Sequence, residues 1–186
     1  MIRPALATFL SLIAVSSLEA QNGREQFVAP DTALDAVHAV QQAAFVVLRD
    51  STTTISAAGS RLMSGMSSSS SLPWMRTRAQ AVAAACVRSE APLARARVVT
   101  QQWKSTNDAQ RKSQSALLKE MPVFAGDLVD CQKRWTALAA DTSQTSLREN
   151  APYQMKEFQE KLDKFNRTVL AYLRSISVPL PIPKTS

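Results

Sequence analysis

Apolar residues recur three and four positions apart along most of this chain, which is the spacing of one buried stripe on a long helix. The first stripe runs Leu34, Val37, Ala44, Leu48, Ile55, Ala58 and Leu62, with Gln41 and Ser51 at the two intervening steps. The second is Met75, Ala79, Val82, Cys86, Ser89, Leu93, Ala96, Thr100 and Trp103. The third is Leu117, Met121, Phe124, Leu128, Cys131, Trp135 and Leu138, and the fourth is Met155, Phe158, Leu162, Phe165, Val169, Tyr172 and Ile176. A slip of one position in the fourth would bury Lys161, so its register is well specified. Strand-type alternation is nearly absent, and only one glycine, Gly126, falls after residue 65. Both facts favour helix over sheet.

The stripes are separated by polar punctuation. Asp31 or Thr32 can cap the first helix after Pro30, and the run Ser67–Ser71 cannot bury apolar surface and reads as a loop. Pro73 suits the first turn of the second helix. Asp141 to Ala151 reads as a polar linker, with Pro152 in the first turn of the last helix. The turn between the second and third helices has two candidate places. A break near 120, as Pro122 suggests, would set Cys131 opposite a residue near 109, far from Cys86. A turn near Asn107 leaves Cys86 and Cys131 equidistant from it, and Ser105-Thr106-Asn107-Asp108 supplies turn and cap chemistry. Pro122 then sits inside a helix. The expectation is an all-α chain, an antiparallel up-down four-helix bundle closed by a Cys86–Cys131 disulfide. The competing arrangement has five shorter helices, broken at Pro92 and Pro122.

The two ends of the chain read differently from its middle. Met1-Ile2-Arg3, an apolar run from Pro4 to Leu18, and Glu19-Ala20-Gln21 form the pattern of a signal peptide over residues 1–20. The run is 15 residues long, and a spanning helix wants about 20. The helical domain is then 21–177, and the expected location is periplasmic or extracellular, where a cysteine pair closes by default. Residues 178–186 carry prolines at 179, 181 and 183, which no helix accommodates, so the tail is extended. Asn166-Arg167-Thr168 is a glycosylation sequon, meaningful only in a eukaryotic secretory pathway.

Catalysis is not expected. The chain has a single histidine, His38, and lacks the paired Glu-x-x-His sets of di-iron bundles and the Cys-x-x-Cys-His of covalent haem. Asp127 with Asp130 and Glu157 with Glu160 are carboxylate pairs that a solvated helix face explains. Met63, Met66 and Met75 flank the serine loop and have the thioethers that suit Cu(I), but closing an apolar end is the commoner work of methionine. Neither a cofactor nor a metal is therefore expected.

Charge changes the picture most. Losing Arg3 and Glu19 with the leader leaves 21 basic and 14 acidic residues, a net charge of +7. The segment from Arg76 to Lys119 holds nine basic residues and two acidic ones, so it carries the whole excess. Arginine outnumbers lysine there six to three, and its planar fork suits phosphate and carboxylate. Arg76, Arg78, Arg88, Arg95, Arg97 and Lys104 form the candidate binding patch. The expected function is a non-catalytic exported binding or structural protein. Its basic second helix would contact an anionic envelope or extracellular polymer, a lipid headgroup or an acidic protein. Specific nucleic-acid binding is not expected, because no recognition motif is present. The alternative is a carrier of an apolar small ligand, held between helices near the methionine-rich end.

Overall fold

The computed structural model describes residues 32–177 except Ser68. The expected leader over 1–20, the capping position at Asp31 and the proline-rich tail lie outside the described residues, as do the side chains of Thr32 and Leu34. Four helices follow one another: α1 (Thr32–Gly65), α2 (Leu72–Gln102), α3 (Asp108–Ala140) and α4 (Gln144–Ser175). Each is 31 to 34 residues long.

Local chemistry sets the boundaries. The hydroxyl of Ser71 accepts from the Trp74 N–H at the start of α2, with Pro73 in the first turn. Ser70 donates its hydroxyl to the Gly65 carbonyl and so closes the end of α1. The Asn107 side chain accepts from the Gln110 N–H and caps α3, which places the turn where the cysteine geometry predicts it. Helices α2 and α3 run unbroken through Pro92 and Pro122, so the bundle has four helices and not five.

One boundary differs from the sequence expectation. Helix α4 begins at Gln144, capped by Ser143, and Pro152 lies well inside it. Leu147 and Ala151 are fully buried, so the core extends the apolar stripe past the proline. The linker therefore shrinks to the residues around Asp141, whose carboxylate accepts from the Ser143 N–H and the Ser146 hydroxyl. These bonds hold the Asp141 carboxyl below its ordinary value.

The helices pack in ring order, each antiparallel to its neighbours. Gln41 donates to the Val99 carbonyl between α1 and α2. Cys86 is bonded to Cys131 between α2 and α3, with a Cα separation of 6.2 Å. Phe124 stacks on Phe165 between α3 and α4, and Phe45 meets Tyr172 between α1 and α4. The α1–α4 side is the most sparsely packed of the four. All nine positions of the second stripe are buried, as are all seven of the third. In the fourth stripe Met155 and Val169 are half-buried and the rest are buried. In α1 the expectation fails at Val37, which is 44% exposed, while Phe45 joins the core in its place. Phe45 faces α4, which a single narrow stripe does not anticipate.

Helix α3 has a built-in weakness. Pro122 has no N–H to give the Leu118 carbonyl, and its ring is exposed. Proline in a helix interior costs about 3 kcal/mol relative to alanine, of which up to about 1 is recovered through a stiffer unfolded chain. Pro122→Ala should therefore stabilise the bundle by about 2 kcal/mol, read as a higher denaturation midpoint. A lower midpoint would mean that the ring's packing beside Met121 and Ala125 outweighs the missing bond.

Candidate functional site

The basic residues of α2 do not share one environment. Arg76 is half-buried and its Nε donates to the Ala139 carbonyl at 2.6 Å. That bond satisfies a carbonyl at the end of α3 and sets a cation where the helix dipole favours one. The guanidinium of Arg78 lies 5.6 Å from the centre of the Trp74 ring, a cation–π contact. These two of the six candidates are thus engaged within the bundle.

The other four are exposed, and among the described residues no carboxylate lies within ion-pair distance of them. Arg88 and Arg95 are seven apart on α2, and Gln102 is seven further on. Gln102 lines a cleft with Val37 and Val40 of α1, so this edge of α2 faces α1. Lys104 follows the end of α2 and lines the mouth of the same cleft beside Trp103. Arg97 lies on the opposite edge, in a groove shared with Met121, Pro122 and Ala125 of α3. The sequence patch is thus brought together only in part. Arg88, Arg95 and Lys104 lie along the α1–α2 side, and Arg97 stands across the helix from them.

Several cations of the α3–α4 side are paired. Arg134 pairs with Glu157, Lys161 bridges Glu157 and Asp127, and Lys164 pairs with Glu120. The bonds from Lys161 and Arg134 hold the Glu157 carboxyl below its ordinary value. Burial pulls the Lys161 ammonium down, but its bonds to Glu157 and Asp127 outweigh that and leave it raised. Of the four carboxylates noted in the sequence, Asp127 and Glu157 are thus committed to cations of the neighbouring helix. Exposed pairs of this kind are worth about 0–1 kcal/mol each. They neutralise Arg134, Lys161 and Lys164, and no comparable pair is formed by Arg88, Arg95 or Lys104 among the described residues.

Apolar surface accompanies those bases. Val40 is 53% exposed, and Val47, seven further along α1, is also exposed. Both lie on the α1 edge that faces α2. The side next to Arg88 and Arg95 is therefore mixed, cationic and apolar. The spacing of Val40 and Val47 is visible in the sequence, but the core stripe does not include it. Two hollows of ≈ 300 Å³ each adjoin at this end, sharing Val37, Gln102 and Trp103. The α2–α3 groove is larger, ≈ 480 Å³, and is lined by Leu93, Ala94, Val98, Met121, Ala125 and Val129 with Glu90, Arg97 and Gln101.

The methionine-rich end is packed from within. The Met155 thioether sits against Gly59, where an added Cβ would come within 2.2 Å of its sulfur. The Trp74 ring covers Gly65 in the same way, at 2.3 Å. Met75 is fully buried. Among the described residues no group of three or more histidines, cysteines or carboxylates is placed to hold a metal ion. No helix among them is long and apolar enough to cross a membrane.

No protein-family model, no curated protein and no solved structure matches this chain.

Proposed function

We propose that this is a non-catalytic exported protein that binds an anionic partner of the envelope or extracellular space through the α1–α2 side of its bundle. One observation carries the reading. Arg88, Arg95 and Lys104 are exposed and unmatched by any carboxylate among the described residues, whereas Arg134, Lys161 and Lys164 of the α3–α4 side are paired across the two helices. Desolvating an unpaired guanidinium against a phosphate or carboxylate gives up no existing ion pair, so the net gain on binding is larger. Val47 adds apolar contact beside the charges. Export is supported by the closed Cys86–Cys131 pair, which oxidising compartments favour.

The test is salt-dependent binding to vesicles that contain anionic lipid, with neutral vesicles as the control. Raising salt from about 0.1 M to about 1 M shortens the screening length from about 10 Å to about 3 Å and should abolish binding. A basic residue near an anionic surface contributes about 1 kcal/mol, so losing two costs about thirtyfold in affinity. The double reversal Arg88→Glu and Arg95→Glu should weaken binding by at least that factor, with unchanged helicity. Full binding by the double variant would overturn the reading. If the unaltered protein binds no anionic surface at low salt, the carrier of an apolar ligand takes its place, with the α2–α3 groove as its seat.

A further inference from the structure

We propose that the cleft between the start of α1 and the end of α2 is a seat for an extended proline-rich peptide, and that its occupant is the chain's own tail, residues 178–186. This inference is independent of the charge-based reading above.

Three observations meet at the cleft. The first is apolar exposure in the wrong place. Val37 continues the core stripe of α1, yet it and Val40 are 44% and 53% exposed, and both line the cleft with Val99 and Trp103. The second is unmet hydrogen bonding. Trp103 is 8% exposed and its indole Nε1–H has no acceptor among the described residues. Gln41 is 1% exposed; its Nε2 donates to the Val99 carbonyl, but its Oε1 accepts from nothing among the described residues. A buried donor and a buried acceptor without partners are each unfavourable, and an incoming backbone with both a carbonyl and an N–H can satisfy them. The third is where the described chain leaves off. The end of α4 lies at this same end of the bundle, with Tyr172 beside Thr100 of α2 and Ser175 bonded to Ser113. Ser177 has φ 56°, which turns the chain off the α4 axis.

The tail fits those requirements by its own chemistry. It reads Val178-Pro179-Leu180-Pro181-Ile182-Pro183, apolar residues alternating with prolines. Such a segment has no internal hydrogen bonds, so its carbonyls are free to accept, and its ordering cost on docking is low. A tryptophan indole donating to a carbonyl of an extended proline-rich strand, over an aliphatic floor, uses the amphipathic character of that ring. Leu180 and Ile182 retain N–H groups, either of which can donate to Gln41 Oε1. Reach is sufficient. Nine residues in this extended form span about 28 Å, while the diagonal of four helices about 10 Å apart is about 14 Å.

The experiment compares the protein with a version ending at Ser177 by ¹H–¹⁵N spectroscopy, with Trp103→Phe identifying the Trp103 indole signal. Removing the tail should shift that signal and those of Val37 and Val40. It should also speed indole hydrogen exchange about tenfold, the protection expected when local tail concentration is about ten times its dissociation constant. Replacing Pro179, Pro181 and Pro183 by serine keeps the length and should produce a partial version of the same shifts. No change in the three signals on truncation would overturn the proposal. So would shifts that depend on protein concentration, which would assign the seat to the tail of a second copy. Shifts caused by removing residues 21–30, and not by removing the tail, would overturn it as well.

Discussion

Phe124→Ala should destabilise the bundle by about 3–5 kcal/mol, the usual cost of a buried phenylalanine. Its ring is 1% exposed and stacks on Phe165, with centroids 4.1 Å apart and planes within 5°. Phe158 flanks it at 6.3 Å. These three rings join α3 to α4, and the side chains around them are too large and interlocked to collapse into the space left by a phenyl group. The ion pairs on the same side cannot compensate, because they are partly solvated and individually worth little. Denaturant unfolding followed by helicity measures the effect. Small domains are stable by about 5–15 kcal/mol, so the variant should sit near the edge of folding. Phe124→Leu keeps most of the volume and should cost about 1.5 kcal/mol or less. A loss under about 1 kcal/mol for Phe124→Ala would mean that the α3–α4 seam does not depend on this stack.

Opening the Cys86–Cys131 bond should cost about 4 kcal/mol. The two residues enclose 45 positions of sequence, and constraining a loop of that length in the unfolded chain gives this figure in the chain-entropy treatment. The effect arises in the unfolded state, so helicity under native conditions should barely change. Both cysteines are buried, and a reductant should therefore act mainly on transiently opened molecules. The comparison is between the protein and the double variant Cys86→Ala, Cys131→Ala, unfolded by denaturant without reductant. If the unfolding free energies differ by less than about 1 kcal/mol, the bond adds no net constraint beyond the packing of α2 on α3.

Much of the fold follows from spacing alone. The second stripe reads correctly at every step, including Ser89 and Thr100, because their hydroxyls return to the Ala85 and Ala96 carbonyls one turn back and can be buried at little cost. The turn at Asn107 follows from the position of the two cysteines, since antiparallel neighbours place residues level when they are equidistant from the turn. Periodicity also defines which face of each helix is apolar.

Periodicity does not define what that face meets at its ends. Val37 continues the stripe but lies where α1 runs beyond close cover, so only the arrangement of neighbouring helices decides its exposure. The start of α4 was misplaced for a related reason. Proline is read from sequence as a boundary, but burial of Leu147 and Ala151 outweighs the bond that Pro152 removes. The charged site divides along the same line. Sequence determines that the excess of positive charge lies between Arg76 and Lys119. Tertiary structure alone decides that Arg76 is committed to Ala139, that Arg134 and Lys161 have carboxylates 23 and 34 residues away in sequence, and that Arg88 and Arg95 have none among the described residues. The periodic stripe is a property of one helix and its solvent. Pairing, cover and exposure at an end are properties of two helices in register, and one-dimensional spacing does not contain that register.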